Sequence, residues 1–81
     1  MTYSVNDTKD FNSSIVIGIK VKKNGERVIT CELSYWDKIS QEIYKKVYPA
    51  SKFDKVCKTY NAINAFMIPK NEIKDTVENI K

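Results

Sequence analysis

The side chains that could do covalent or metal chemistry here are few: two cysteines, Cys31 and Cys57, and ten carboxylates, with no histidine among 81 residues. Histidine is the commonest general base near neutral pH and the commonest transition-metal ligand, so its absence removes both roles together. A thiolate needs a neighbouring base or cation to become a good nucleophile. Zinc needs a closed set of thiolate and imidazole ligands. Two isolated cysteines with no Cys-x-x-Cys step supply neither, and they read instead as small buried hydrophobes. The carboxylates show no spacing that pairs them for hydrolysis. The only glycines are Gly18 and Gly25, so no glycine-rich loop cradles a phosphate. The expectation is a protein without catalytic residues, metal or cofactor.

Recognition is the chemistry that remains. The net charge is +4, carried by thirteen Lys and one Arg against the ten acidic residues. That is a modest cation, compatible with nucleic-acid contact without demanding it, and the opposite of an acidic DNA mimic. Lys20, Lys22, Lys23 and Arg27 form one group that could lie against phosphates or an acidic partner. The plain alternative is that lysines on an exposed strand keep sheets from pairing. Lys45, Lys46, Lys52, Lys55 and Lys58 form a second group, with the last three stepping by three along a helix. Lysines at a helix C-terminus also complement its dipole. Nine aromatic residues exceed what so small a core requires. Trp36, Tyr44 and Tyr48 are the candidates for anchoring a protein partner, because Trp and Tyr dominate interface energetics. The plain alternative is that they close the edge of the core.

The elements that must position these groups follow from periodicity. Ile15, Ile17, Ile19 and Val21 alternate, as do Ile29, Cys31, Leu33 and Tyr35, around an Asn-Gly step. A two-residue Asn24-Gly25 loop would set Ile17 against Glu32 and split the apolar set between two faces. A three-residue loop, Lys23-Asn24-Gly25, pairs Ile19 with Ile29, Ile17 with Cys31 and Ile15 with Leu33, with Gly25 in the left-handed region. Parity puts Trp36 on the opposite face. Gly18, in mid-strand, suggests a bulge or a close approach. Asp37 is a good N-cap, and Ile39, Ile43 and Val47 repeat at four, predicting a helix over 38–47 stopped by Pro49. Ser51 with Asp54 predicts a capped helix over 52–66, carrying Phe53, Val56, Cys57, Tyr60, Ile63 and Met67. Residues 62–68 fit the end of that helix better than a third strand. Asn71 would cap a last helix with Ile73, Val77 and Ile80 on one face.

These elements make one small α+β domain: an N-terminal β-hairpin covered on one face by about three helices. Residues 1–12 form a flexible or loosely docked arm and 13–81 the domain. Both hairpin edges need cover from the arm, from 62–68 or from another chain. No apolar run approaches 18 residues, so no membrane span or membrane partner is expected. Residues 1–12 lack the pattern of a secretory signal, which makes the cytoplasm the default. The richness in Lys, Asn and Ile suggests an AT-rich gene. The functional expectation is a small non-enzymatic binding protein, of the kind phages and mobile elements use as inhibitors, docking on a larger host macromolecule. Protein is favoured over nucleic acid as that partner, and a homodimer is expected. The alternative is a weak, sequence-nonspecific nucleic-acid-binding accessory protein using the basic hairpin.

Overall fold

The computed structural model describes residues 10–81. Three antiparallel strands in the order β1-β2-β3 form a meander: β1 (Phe11–Val21), β2 (Arg27–Asp37) and β3 (Ile43–Pro49). A 3-10 turn at Ala50–Lys52 leads into helix α1 (Phe53–Asn64), and a second at Lys70–Glu72 leads into the short helix α2 (Ile73–Glu78). The α+β class stands, with three strands and two α-helices among the described residues in place of two strands and about three helices.

The first hairpin has the register its apolar pattern dictates. Ile15 faces Leu33, Ile17 faces Cys31 and Ile19 faces Ile29. Lys23-Asn24-Gly25 is the loop: Lys22 N–H donates to Glu26 O and Gly25 N–H to Lys22 O, and Gly25 has φ +87°. The ladder runs unbroken through Gly18 opposite Thr30, so no bulge forms there. Phe11 and Asn12, assigned from sequence to the arm, begin β1. The rest of that arm, 1–9, lies outside the described residues.

The helix expected over 38–47 is instead a tight loop and strand β3. Asp37 does accept the N–H groups of Ile39 and Ser40, at 2.9 and 3.1 Å, as an N-cap would. The chain then reverses: Gln41 takes φ 62°, its N–H returns to Asp37 O, and Asp37 N–H bonds Glu42 O. Residues 43–48 are β-branched or aromatic at four of six positions, which favours a pleated strand. Ile39, Ile43 and Val47, the expected buried stripe, are all exposed.

One face of the sheet carries the core. Phe11, Cys31, Leu33, Tyr35 and Tyr48 from the strands meet Val56 and Ile63 of α1 and Ile73 and Val77 of α2. Helix α1 lies against β1 and β2, and α2 chiefly against β3. Neither Ser51 nor Asn71 caps its helix; the residue before α1 is Lys52, that before α2 is Glu72, and neither makes a capping bond. Helix α1 stops before Pro69 through a Schellman closure, with Met67 N–H donating to Ala62 O and Phe66 N–H to Ile63 O. Phe66 takes the left-handed position at φ 59°, where glycine is usual.

The helices cover only the half of the hairpin nearer the chain termini of β1 and β2 at Phe11 and Asp37. Beyond the Thr30–Pro49 pair the hairpin continues as two strands alone. Ile17, Ile19, Val21 and Ile29 point to the helix side but lie outside the helical layer, each between 56% and 66% exposed. The radius of gyration, 14.4 Å, exceeds the roughly 12 Å of a compact chain this long, as a projecting hairpin requires. Phe53, expected in the core, is also exposed.

Candidate protein-docking face

Strand parity separates the three aromatic candidates. Tyr44 and Tyr48 are two turns of the pleat apart on the helix side of β3, and Trp36 is on the opposite side of β2. Tyr48 belongs to the core. Its hydroxyl donates to Val77 O and accepts from Ile80 N–H at 3.1 Å, tying β3 to the end of α2. Tyr44 is half-buried, stacks on Tyr35 at 6.0 Å and donates its hydroxyl to Glu42 Oε1. That bond to a carboxylate, with burial second, pushes its phenol above the ordinary value. Tyr35 stacks in turn on Phe11 at 5.1 Å, and Phe66 meets Phe11 edge-on at 5.7 Å. A cleft of about 290 Å³ lies among Phe11, Tyr35, Phe66 and Lys70, just below the usual range for ligand pockets.

Trp36 stands on the helix-free face with different neighbours. Ile43 is directly across from it on β3. Two rows along, Val16 and Val47 flank Glu32 from either side. Trp36 is 40% exposed, and Val16, Ile43 and Val47 are between 52% and 62% exposed. The row between them holds Ser14, Ser34 and Lys45, and Gly18 and Thr30 form the row beyond Val16. The charges of this face are Glu32, Lys45 and Lys20. Sequence reasoning identified Trp36 but missed Val16, Ile43 and Val47. The β-branched and aromatic content of residues 43–48 was the available signal, masked by the four-residue repeat of Ile39, Ile43 and Val47.

The cations do not form one stripe. Lys20 and Lys45 share the helix-free face, Arg27 and Lys46 the helix side, and Lys55 and Lys58 lie on α1, with Lys52 just before it. Lys46 donates to Glu78 O at 2.9 Å and sits 5.6 Å from the Tyr48 ring centre, the dipole-complementing role of a lysine at a helix end. Lys20, Lys22, Lys23 and Arg27 do stay together around the projecting tip, where Lys22 pairs with Glu26 at 3.4 Å.

Cys31 is buried and Cys57 half-buried, and neither is in a disulfide. Burial, with Cys57 nearby, pushes the Cys31 thiol up, away from the thiolate. The described residues hold no group of His, Cys, Asp or Glu side chains that could bind a metal. Asp37, buried, engages Ile39 and Ser40 through Oδ1 and Lys70 through Oδ2, at 3.2 Å. No described helix is long and apolar enough to cross a membrane. Comparison with family models, curated proteins and solved structures finds no match to this chain.

Proposed function

We propose that this chain is a small non-catalytic binding protein that docks its helix-free sheet face on a larger protein. The observation that carries this reading is the surface around Trp36: four large exposed apolar side chains on one sheet face, Trp36 beside Ile43 and Val16 and Val47 on either side of Glu32, with Ser14, Ser34 and Lys45 in the row between. A tryptophan with an apolar cross-strand neighbour is the anchor that interfaces favour, and exposed apolar side chains set among polar ones mark interaction sites. The partner surface is apolar, with a carboxylate placed to meet Lys45. Small size, AT-rich residue usage and the absence of histidine accord with a phage or mobile-element inhibitor acting in the cytoplasm by occupying a host protein.

Affinity capture from a nuclease-treated host lysate tests this against the nucleic-acid alternative. Three baits are compared: the natural chain, Trp36→Ser with Ile43→Ser, and Lys20, Lys22, Lys23 and Arg27 all changed to Ser. The expected result is one protein retained by the first and third baits and lost by the second. The single tryptophan emission should then shift to shorter wavelength when that protein is titrated in. Capture that vanishes with nuclease, or that survives loss of Trp36 and Ile43, overturns the reading.

A further inference from the structure

We infer that the tip of the first hairpin docks on an anionic lipid surface, with Ile19, Val21 and Ile29 entering the headgroup region while Lys20, Lys22, Lys23 and Arg27 meet lipid phosphates. This goes beyond the protein-docking reading and uses a different surface. The helical layer stops at the Thr30–Pro49 pair. Helix α1 begins four residues after Pro49 and runs back toward β1, where the Ser13 hydroxyl donates to Asn64 Oδ1 at 2.9 Å. From Gly18 and Thr30 to its turn the ribbon therefore projects by roughly 15 Å, at about 3.3 Å per residue. Amphipathic elements bury their apolar face roughly 5–10 Å into a bilayer interface. The tip can thus seat fully before the helices reach the headgroups.

Apolar surface and positive charge coincide on this tip. Ile19, Val21 and Ile29 share its helix side, and each is more than half exposed. Their alternation assigns them to the core, which is why no membrane partner is expected from the sequence. In the folded chain they lie beyond the layer that would bury them. Residues 18–29 hold four cations and one carboxylate, Glu26, so the tip carries three of the chain's four net positive charges. The cations surround the ribbon. Lys20 is on the helix-free side, Arg27 is on the helix side across from Val21, Lys23 is in the turn, and Lys22 beside it pairs with Glu26 at 3.4 Å. A rigid partner meets one side of a ribbon, whereas a fluid surface entered tip-first meets both. Charge and apolarity together select the occupant. A second copy would bring a tip of the same sign. Nucleic acid would satisfy the cations but leave three β-branched side chains in water. Anionic headgroups over an acyl interior answer both demands, and each Lys or Arg near such a surface strengthens binding roughly fivefold.

Vesicle flotation of the full chain tests this, comparing phosphatidylcholine vesicles containing about 30% phosphatidylglycerol with phosphatidylcholine alone. The natural chain should bind the anionic vesicles at least about tenfold more tightly than the neutral ones, and added salt should release it. Val21→Glu sets a carboxylate across from Arg27, a pair that supports the hairpin, and should weaken binding at least about tenfold. Ile19→Ser with Ile29→Ser should do the same with unchanged far-ultraviolet circular dichroism; should that variant unfold, Val21→Glu still decides. Changing Lys20, Lys22, Lys23 and Arg27 together to Ser should weaken binding at least about twentyfold. Trp36, on the half of β2 away from the tip, is an internal control. Its emission should stay fixed when vesicles are added, whereas Val21→Trp should add an emission that moves to shorter wavelength. Val21→Glu should still capture protein through the Trp36 face, so this inference and that reading fail separately. No binding to anionic vesicles, equal binding to neutral ones, or binding indifferent to Val21→Glu overturns the inference. A vesicle-induced shift of Trp36 itself overturns it by placing the lipid on the helix-free face, and binding to duplex DNA with none to vesicles assigns the tip to nucleic acid instead.

Discussion

Asp37 shows how one carboxylate can set a loop. It is buried at the end of β2, and its two oxygens together meet two backbone N–H groups and the Lys70 ammonium. The Ser40 N–H is the largest cause holding its carboxyl below the usual range, followed, against the opposing effect of burial, by Ile39 N–H and Lys70. A carboxyl pKa depressed by folding stabilises the fold above the unfolded-state value, and that contribution is lost as pH falls through the folded-state value. Urea midpoints should therefore fall as pH drops below about 4, the ordinary aspartate range. Asp37→Asn keeps an acceptor for the loop but loses the charge. It should be less stable than the natural chain at pH 7, and the two should converge at the acid end. Equal midpoints at pH 7, or parallel decline below pH 4, would remove Asp37 from this role. Tyr48 acts similarly without charge, bridging Val77 O and Ile80 N–H across the packed face.

At the scale of elements, the first hairpin was legible because only one register gathers its apolar residues on one face, and burial enforces register. Helix α1 was legible through Val56, Tyr60 and Ile63, with only its ends misplaced. Strand β3 was not, for a definite reason. A four-residue repeat of Ile39, Ile43 and Val47 satisfies a helical period and also places Ile43 and Val47 on the same face of a strand. Asp37 then supplied a capping signal that was physically real but served a reversing loop. Tyr44 and Tyr48 pointed to the strand, since they alternate against Ile43 and Val47. The two readings make opposite predictions for stability. In a strand with the observed faces, Ile43→Thr and Val47→Thr should each change stability by less than about 0.5 kcal/mol, as exposed β-branched exchanges do. Tyr48→Ala should cost about 3 kcal/mol or more, as deletion of a buried aromatic does. Thermal or urea unfolding of the three variants checks this. A large loss at Ile43 or Val47 would restore a buried role for that stripe. The docking surface was half legible for the same reason: Trp36 follows from hairpin parity, but its neighbours Ile43 and Val47 follow only once β3 is a strand.

For the whole molecule, the arrangement of charge decides what +4 can do. Because the described cations divide between the two sides of the sheet and the helices, no single surface among the described residues presents them all to a polyanion. The projecting tip, with Lys20, Lys22, Lys23 and Arg27, is where they are densest. A two-stranded ribbon of this width can reach a DNA groove, but one arginine leaves little capacity for bidentate reading of guanine. Binding to duplex DNA should therefore be weak and indifferent to sequence. Four phosphate contacts would give a log–log salt slope of about −3.6. Changing the four tip residues to Ser should abolish that binding without loss of fold, because their side chains are exposed and Lys22 alone has an ion-pair partner, Glu26. Fluorescence anisotropy with labelled DNA at several salt concentrations measures the slope, and the same variant provides the control. A slope much steeper than four contacts allow would mean that Lys45, Lys55 or Lys58 also reaches the phosphates, and with them a surface wider than the tip. Preserved protein capture by the four-serine variant would separate the two activities, leaving the tip as an electrostatic accessory to a face whose contacts are apolar.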